Sequence, residues 1–342
     1  MTLCRKELKV GKVFITQMNA LVIQIRRRLF RISQDAVTFE RRGFRGADPG
    51  PRQRLETVGN WFLAGYHFAV ESSSVSELKA KLDSVEPELR GFAYEGAAMG
   101  LAILDRVTPW RARRFESFLA GPGAAHAYMF HVGLGWVWAR APFGFRRWQK
   151  RLDPLLGWLA FDGWGFHEGF FRGPGYLTGQ AAPMRLRGYE RRVFDQGLGR
   201  SFWFVNGGSA DRIAQTISNF STARQPDLWS GVGLAAGYAG IASESSLHQL
   251  RTFSGRFHPQ LAQGAAFAAK ARQRAGNPAE HTGLAARILC GSSAEEAARL
   301  TDISLENLPA DGPEPAYEIW RQRIQSHFQD RFASAGQLQG AT

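Results

Sequence analysis

The chain reads as an all-α protein, a multi-helix globular fold with three repeated helix pairs around a central aromatic-lined cavity. Three observations predict it. Apolar residues recur at helical spacing behind serine caps, and alternating β-branched runs closed by Asn-Gly or Asp-Gly turns are nearly absent. The apolar runs are also rich in Gly and Trp, which number 38 and 10 among 342 residues. Small residues let helices approach closely, and aromatic rings fill the gaps between them.

The elements follow in order. Residues 1–17 read as a detached basic leader, expected to be disordered, with Met18 an alternative start. Asn19 to Ile32 reads as a short basic amphipathic helix of the kind that rests on a membrane surface. Charges flank the apolar patch Ala20 to Ile25, and no small-residue cleavage site follows, so this is not a secretory signal. Ser74 with Glu77 forms a capping-box pattern ahead of Val75, Leu78 and Leu82 on one helical face. Ser209 stands before Ile213, Ile217 and Phe220 in the same way. Asn277-Pro278 with Glu280 reads as N-cap, first-turn proline and third-position acid, and Ser293 with Glu296 opens another helix. Loops are expected at Gly43 to Pro51, Gly121 to Gly123 and Arg172 to Pro183. The third is the longest, the natural place for a boundary or a lid. One helical domain is expected over 18–332, with 333–342 a disordered tail.

Composition narrows the setting. With 44% apolar residues the chain can hold a core without disulfides or a metal. Cys4 and Cys290 form no CxxC and no disulfide framework, which favours a reducing, cytoplasmic compartment, with peripheral contact at the inner face of the membrane as the variant. No run approaches the ~18 apolar residues of a membrane span. The net charge is +13, and 36 of the 43 basic residues are Arg. Guanidinium groups suit carboxylate, phosphate and aromatic partners, so the charge reads either as a plain solvated basic surface or as a docking face for an acidic carrier protein or an anionic surface. No zinc-finger spacing, RNP motif or basic zipper is present, and nucleic acid is not expected.

Three segments begin with Val-Gly in an apolar run and arrive, 37, 30 and 31 residues later, at a polar residue followed by Gly. They run from Val58-Gly59 to Glu95-Gly96, from Val132-Gly133 to Asp162-Gly163, and from Val232-Gly233 to Gln263-Gly264. A helix-turn-helix unit has about this length, so Glu95, Asp162 and Gln263 would hold equivalent places facing one cavity.

The densest polar cluster spans Phe161 to Phe171 and puts Asp162, His167 and Glu168 among aromatics. An apolar surround raises carboxylate pKa values and a neighbouring acid orients His, so general acid–base work is available there; a capped helix start with a satisfied His is the plain alternative. His167-Glu168 is no zinc-protease motif, because Phe171 stands where a second His is required. His126 and His131 are five apart and point away from each other on a helix, so together they make no metal site. His67 lies in an apolar stretch and reads as a core residue. Asp195 and Arg200 read as a bidentate pair, or Arg200 as a clamp for an acidic ligand; Arg224 with Asp227 offers the same choice. Gly163-x-Gly165 and Gly231-x-Gly233 follow no β-strand and are packing glycines rather than dinucleotide fingerprints.

Taken together, several motifs resemble one family. They are Phe39-Glu40-Arg41-Arg42-Gly43-Phe44, Tyr94-Glu95-Gly96-Ala97, His126-Ala127-Tyr128 through Gly135-Trp136, Phe161-Asp162-Gly163, Phe166-His167, Asp195 to Arg200, and Leu228-Trp229-Ser230-Gly231. The string resembles the UnbL-type accessory proteins of bacterial enediyne polyketide gene clusters, a family of unknown function, from about Arg26 to Asp302. The resemblance implies processing of a polyene-derived intermediate, beside a membrane protein resembling an electron-transport subunit. It carries no established catalytic residues, so none is transferred.

The expected activity is that of an accessory enzyme, or enzyme-complex subunit, acting on an unsaturated apolar small molecule. Asp162, His167 and Glu168 would move protons, Glu95 would polarise them, and Arg200 would hold an acidic end of the substrate. Asp195, His131, Tyr128 and Trp164 would line the substrate site. The alternative is a non-catalytic scaffold whose basic surface docks an acidic carrier or a membrane redox partner. A third reading makes His131 or His167 an axial or metal ligand; the cofactor stays open.

Overall fold

Two glycines spaced Gly-x-Gly on a helix face nearly opposite flanks, so each can admit a different neighbour. That spacing sets the architecture. The computed structural model describes residues 17–18, 21–46, 48–108, 110, 113–179, 183–310 and 312–339. The leader expected at 1–17 lies outside them apart from residue 17, as do 180–182 of the longest loop and 340–342 of the tail. The described residues are helices and connecting turns, with no strand among them.

Seven helices pack side by side in chain order: α1 (Pro49–Glu71), α2 (Pro87–Val107), α3 (Ala127–Arg140), α4 (Leu159–Arg172), α5 (Tyr189–Val205), α6 (Gln225–Ala239) and α7 (His258–Ala275). Shorter segments connect most of them, including Val75–Asp83, Arg114–Ala120, Ala210–Ser218 and Glu244–Ser254. Gly133, Gly163, Gly197, Gly231 and Gly264 each lie against a carbonyl of the preceding helix, those of Glu95, Val132, Asp162, Gln196 and Ser230. Two residues on, Gly135, Gly165, Gly199 and Gly233 lie against carbonyls of the following helix, those of Ala160, Phe194, Leu228 and Leu261. Glu95, Asp162 and Gln263 share this register, and so do Gln196 and Ser230. The recurring unit is one helix with its connector, where three helix pairs were expected.

Neighbouring helices run in the same direction. Gly133 meets Glu95 and, farther along both helices, Arg106 donates to the Ala141 carbonyl. Gly165 meets Phe194 and Gly169 meets Ser201. The row then turns back on itself. The Tyr238 ring of α6 lies 5.2 Å from Phe92 of α2, and Arg272 of α7 donates to Glu88 at the start of α2 at 3.2 Å.

Two elements complete the ring. The last helix, α8 (Ala316–Gln339), inserts a fully buried Arg321 that bonds Asp227 of α6 at 2.8 Å, Glu318 at 3.1 Å and Gln263 of α7 at 3.3 Å. The short helix Phe39–Arg42, capped by Thr38, ends at Gly43, whose φ of 65° turns the chain so that Phe44 packs on Phe39 and, at 4.9 Å, on Phe170 of α4. Arg45 N–H then donates to the Val205 carbonyl at the end of α5, which fixes this segment to the ring.

The serine caps fall where the sequence places them. Ser74, Ser209 and Ser293 accept from the third residue of their helices, and Ser293 with Glu296 forms the full reciprocal box. Asn277 is a correction. The helix begins at Glu280 behind Ala279, and the Asn277 amide donates instead to the Pro87 carbonyl at 3.1 Å. No helix among the described residues is long and apolar enough to cross a membrane.

Candidate functional site

The seven helices enclose a narrow cavity of about 60 Å³ whose walls include Phe62, Phe92, Trp136, Phe166, Phe170 and Phe204. Two charged side chains join this apolar lining, Glu95 from α2 and Arg200 from α5. Tyr128 and Tyr238 line it as well.

Glu95 is 3% exposed. The Trp136 indole N–H donates to its Oε1 at 3.0 Å, and no hydrogen bond to Oε2 occurs among the described residues. Burial raises its pKa to about 7, and the neighbouring Asp162 charge adds to the rise; Arg200 and the Trp136 bond oppose it. A carboxyl group poised this way exchanges a proton near neutrality, as a general acid or base must.

Arg200 is held from behind. Its guanidinium pairs with Asp162 of α4 and lies 5.0 Å over the Phe166 ring. Gln196 donates to the other Asp162 oxygen at 2.8 Å and reaches the Tyr317 hydroxyl of α8 at 3.3 Å. The pairing follows from the helix register: Gln196 and Arg200 are one turn apart on α5, and Asp162 faces both across the Gly197 contact. The buried guanidinium stays charged because Asp162 and Glu95 offset its desolvation.

The structure therefore divides the cluster expected at Phe161 to Phe171. Asp162 turns toward α5, whereas His167 turns toward α3, where Arg140 donates to its Nε2 at 3.1 Å. Its Nδ1 stands 3.7 Å from Glu168, and Glu168 meets Arg172 at 3.3 Å. Burial lowers the His167 pKa, so the neutral imidazole is favoured. The proposed pair of Asp195 with Arg200 is corrected. Five residues apart on a continuous helix they diverge, and Asp195 takes Arg224 at 2.8 Å.

The remaining expected residues sort by position. Tyr128 reaches the cavity. His131 is buried with Nδ1 against the Ala127 carbonyl at 2.7 Å, and its Nε2 has no hydrogen-bond partner among the described residues. Trp164 packs edge-on against Phe145, away from the cavity lining. Gln263 bonds Ser230, Arg321 and Gln325, so it supports α8 rather than the cavity. His67 accepts from Ile32 N–H at 3.2 Å. No group of three or more His, Cys, Asp or Glu placed to hold a metal occurs among the described residues.

Sequence reasoning missed two contributors. Trp136 and Gln196 were each visible only as part of a motif. The recurring polar-Gly dipeptide, extended from Asp162-Gly163 to Gln196-Gly197 and Ser230-Gly231, was the signal that would have placed Gln196 beside Asp162.

A ring of like-directed helices around an apolar cavity, with one carboxyl and one guanidinium in its wall, defines the class of protein. Residues 21–328 match the family described as Protein of unknown function (DUF1702), and the chain belongs to that family. No curated protein matches the chain, and no solved structure does.

Proposed function

We propose that the protein is an accessory biosynthetic enzyme that binds one slender, conjugated apolar chain in the central cavity and moves a proton along it through Glu95. The polyene-derived intermediate of an enediyne-like polyketide pathway is the proposed substrate. The observation that carries this reading is the Glu95 carboxyl, set in an aromatic wall with its pKa lifted to about 7 and Oε2 left for a ligand.

As carboxylate, Glu95 takes a proton from a methylene group beside the conjugated system. The electron pair shifts along the chain, and the proton returns at a distant carbon, so a double bond migrates and no oxidant is consumed. The Arg200 guanidinium, in the same wall, offsets negative charge as it develops. The aromatic lining keeps water from competing for the proton.

The test is exchange. A conjugated polyene incubated with the protein in D2O is expected to take up deuterium, and Glu95→Gln is expected to abolish the uptake. No uptake, or uptake that survives the substitution, overturns the reading.

A second reading, a peripheral docking subunit of a membrane-associated complex, is favoured by one observation. Leu21, Val22, Ile25 and Leu29 expose one apolar helix face at 53%, 39%, 48% and 69%.

A further inference from the structure

A second pocket lies at the end of the ring where α4 and α5 terminate. Its volume is about 430 Å³, and its walls include Arg42, Phe44, Arg45, Thr178, Asn206 and Asn219. Among the described residues it is lined by two arginines and no carboxylate. Phe170 lines both this pocket and the apolar cavity, and Phe204 in the cavity wall is followed by Val205 in the pocket wall. The two spaces are therefore neighbours across a single aromatic side chain.

The arginines here differ from the buried, paired arginines of the helix ring. Arg42 is partly buried, lies 5.0 Å over the Phe171 ring, and has an Nε with no acceptor among the described residues. Neither Arg42 nor Arg45 forms an ion pair among the described residues, while Arg200, Arg224, Arg192 and Arg321 all do. Arg140 lies 5.5 Å over the same Phe171 ring and donates to His167. Arg212 adds a further cation beside the pocket, donating to the carbonyls of Asn206 and Gly46. Guanidinium groups without an ion-pair partner around a pocket of this size are suited to one oxyanion.

We infer that this pocket seats the anionic head, a carboxylate or a phosphate monoester, of the ligand whose apolar chain occupies the central cavity. Arg42 and Arg45 take the head, and Phe170 divides head from chain. The ligand class is thus an amphipathic acid. This also relocates the acidic end of the substrate: Arg200 already has Asp162, whereas Arg42 and Arg45 form no ion pair among the described residues, the Asp35 charge acting on Arg42 without one. The inference rests on the proposed cavity reading.

Fluorescence titration of the full chain with a conjugated polyene fatty acid and with its methyl ester separates the two ideas. The acid is expected to bind at least about tenfold more tightly than the ester, the size of one charge-assisted contact. Arg42→Gln with Arg45→Gln is expected to bring the acid down to the ester, while Glu95→Gln leaves the preference intact. The single Arg45→Gln, at an exposed side chain, should halve the preference or more and guards against misfolding of the double variant. Dodecanoate and dodecyl phosphate as competitors identify which head fits; displacement by either one supports the site. Equal binding of acid and ester, or a preference untouched by both variants, overturns this inference alone. Failure of both ligands to bind overturns the cavity reading as well.

Discussion

Asp162 and Arg200 form a fully enclosed ion pair across α4 and α5, at the point where the backbones meet through Gly197. Such a pair binds the two helices only while both members are present. Removing one leaves a charge without a partner in a dry interior, at about 3–5 kcal/mol. Asp162→Asn should therefore lower the urea midpoint far more than a surface substitution does. Replacing both residues by apolar ones, Asp162→Leu with Arg200→Met, should recover at least half of that loss. If the double variant is less stable than the single, the pair contributes more than mutual neutralisation.

Glu95 makes stability depend on pH with a definite sign. Its folded pKa of about 7 exceeds the ordinary value of 4.5, so the folded chain holds this proton more tightly than the unfolded chain. Stability from this group is full below about pH 4.5, falls as pH rises toward 7, and levels off above. The loss is about 3 kcal/mol over that interval. Glu95→Gln keeps an acceptor for the Trp136 indole and cannot ionise. Denaturation of both chains near pH 5 and near pH 8 should show a gap that opens in favour of the variant as pH rises. A gap independent of pH would mean that the carboxyl group is solvated.

How much of this was legible in the sequence depended on range. The serine caps at 74, 209 and 293 are local chemistry, decided within four residues, and they fall in place. Asn277 carried the same local signal, but the Pro87 carbonyl, distant in sequence, claimed its amide. Glu95 and Arg200 were picked out by residue type and do meet the cavity. Their partners were not legible, because Asp162 and Trp136 are set by helix register, which only packing fixes. Arg321 was invisible for the same reason. Its four bonded partners are spread over α5, α6, α7 and its own helix.

The register makes a sharp prediction about glycine. A Cβ at Gly197 would overlap the Asp162 carbonyl, a backbone atom that cannot swing aside. At Gly50, in the first turn of α1, a Cβ would meet nothing within 4 Å. Gly197→Ala must therefore force α4 and α5 apart, which should cost at least about 3 kcal/mol and disrupt the ion pair with it. Gly50→Ala should be neutral or stabilising by up to about 1 kcal/mol, since it restricts only the unfolded chain. Thermal unfolding of the two variants gives the comparison, and similar melting temperatures would contradict the close contact.

The exposed face near the start of the described chain predicts a surface. At about 100° per residue, Leu21, Val22, Ile25 and Leu29 fall within roughly 100° of arc, with Arg28 on one flank. The opposite side is tied to the body: Tyr66 donates to the Phe30 carbonyl at 2.9 Å, and Arg27 meets Glu71 at 3.0 Å. The apolar face thus points outward from a fixed helix. His67 of α1 anchors Ile32 next to it, so the helix borders the C-terminal end of α1. The chain should co-float with vesicles containing phosphatidylglycerol, and less so as salt rises. Ile25→Glu with Leu29→Glu should weaken this at least about tenfold, because each residue loses an apolar burial of about 1.5–3 kcal/mol. The melting temperature should stay unchanged, since both side chains are already exposed. No flotation, or flotation indifferent to the two substitutions, would leave the apolar face to a protein partner, whereas flotation equally strong with neutral vesicles would mean that apolar burial alone drives the binding.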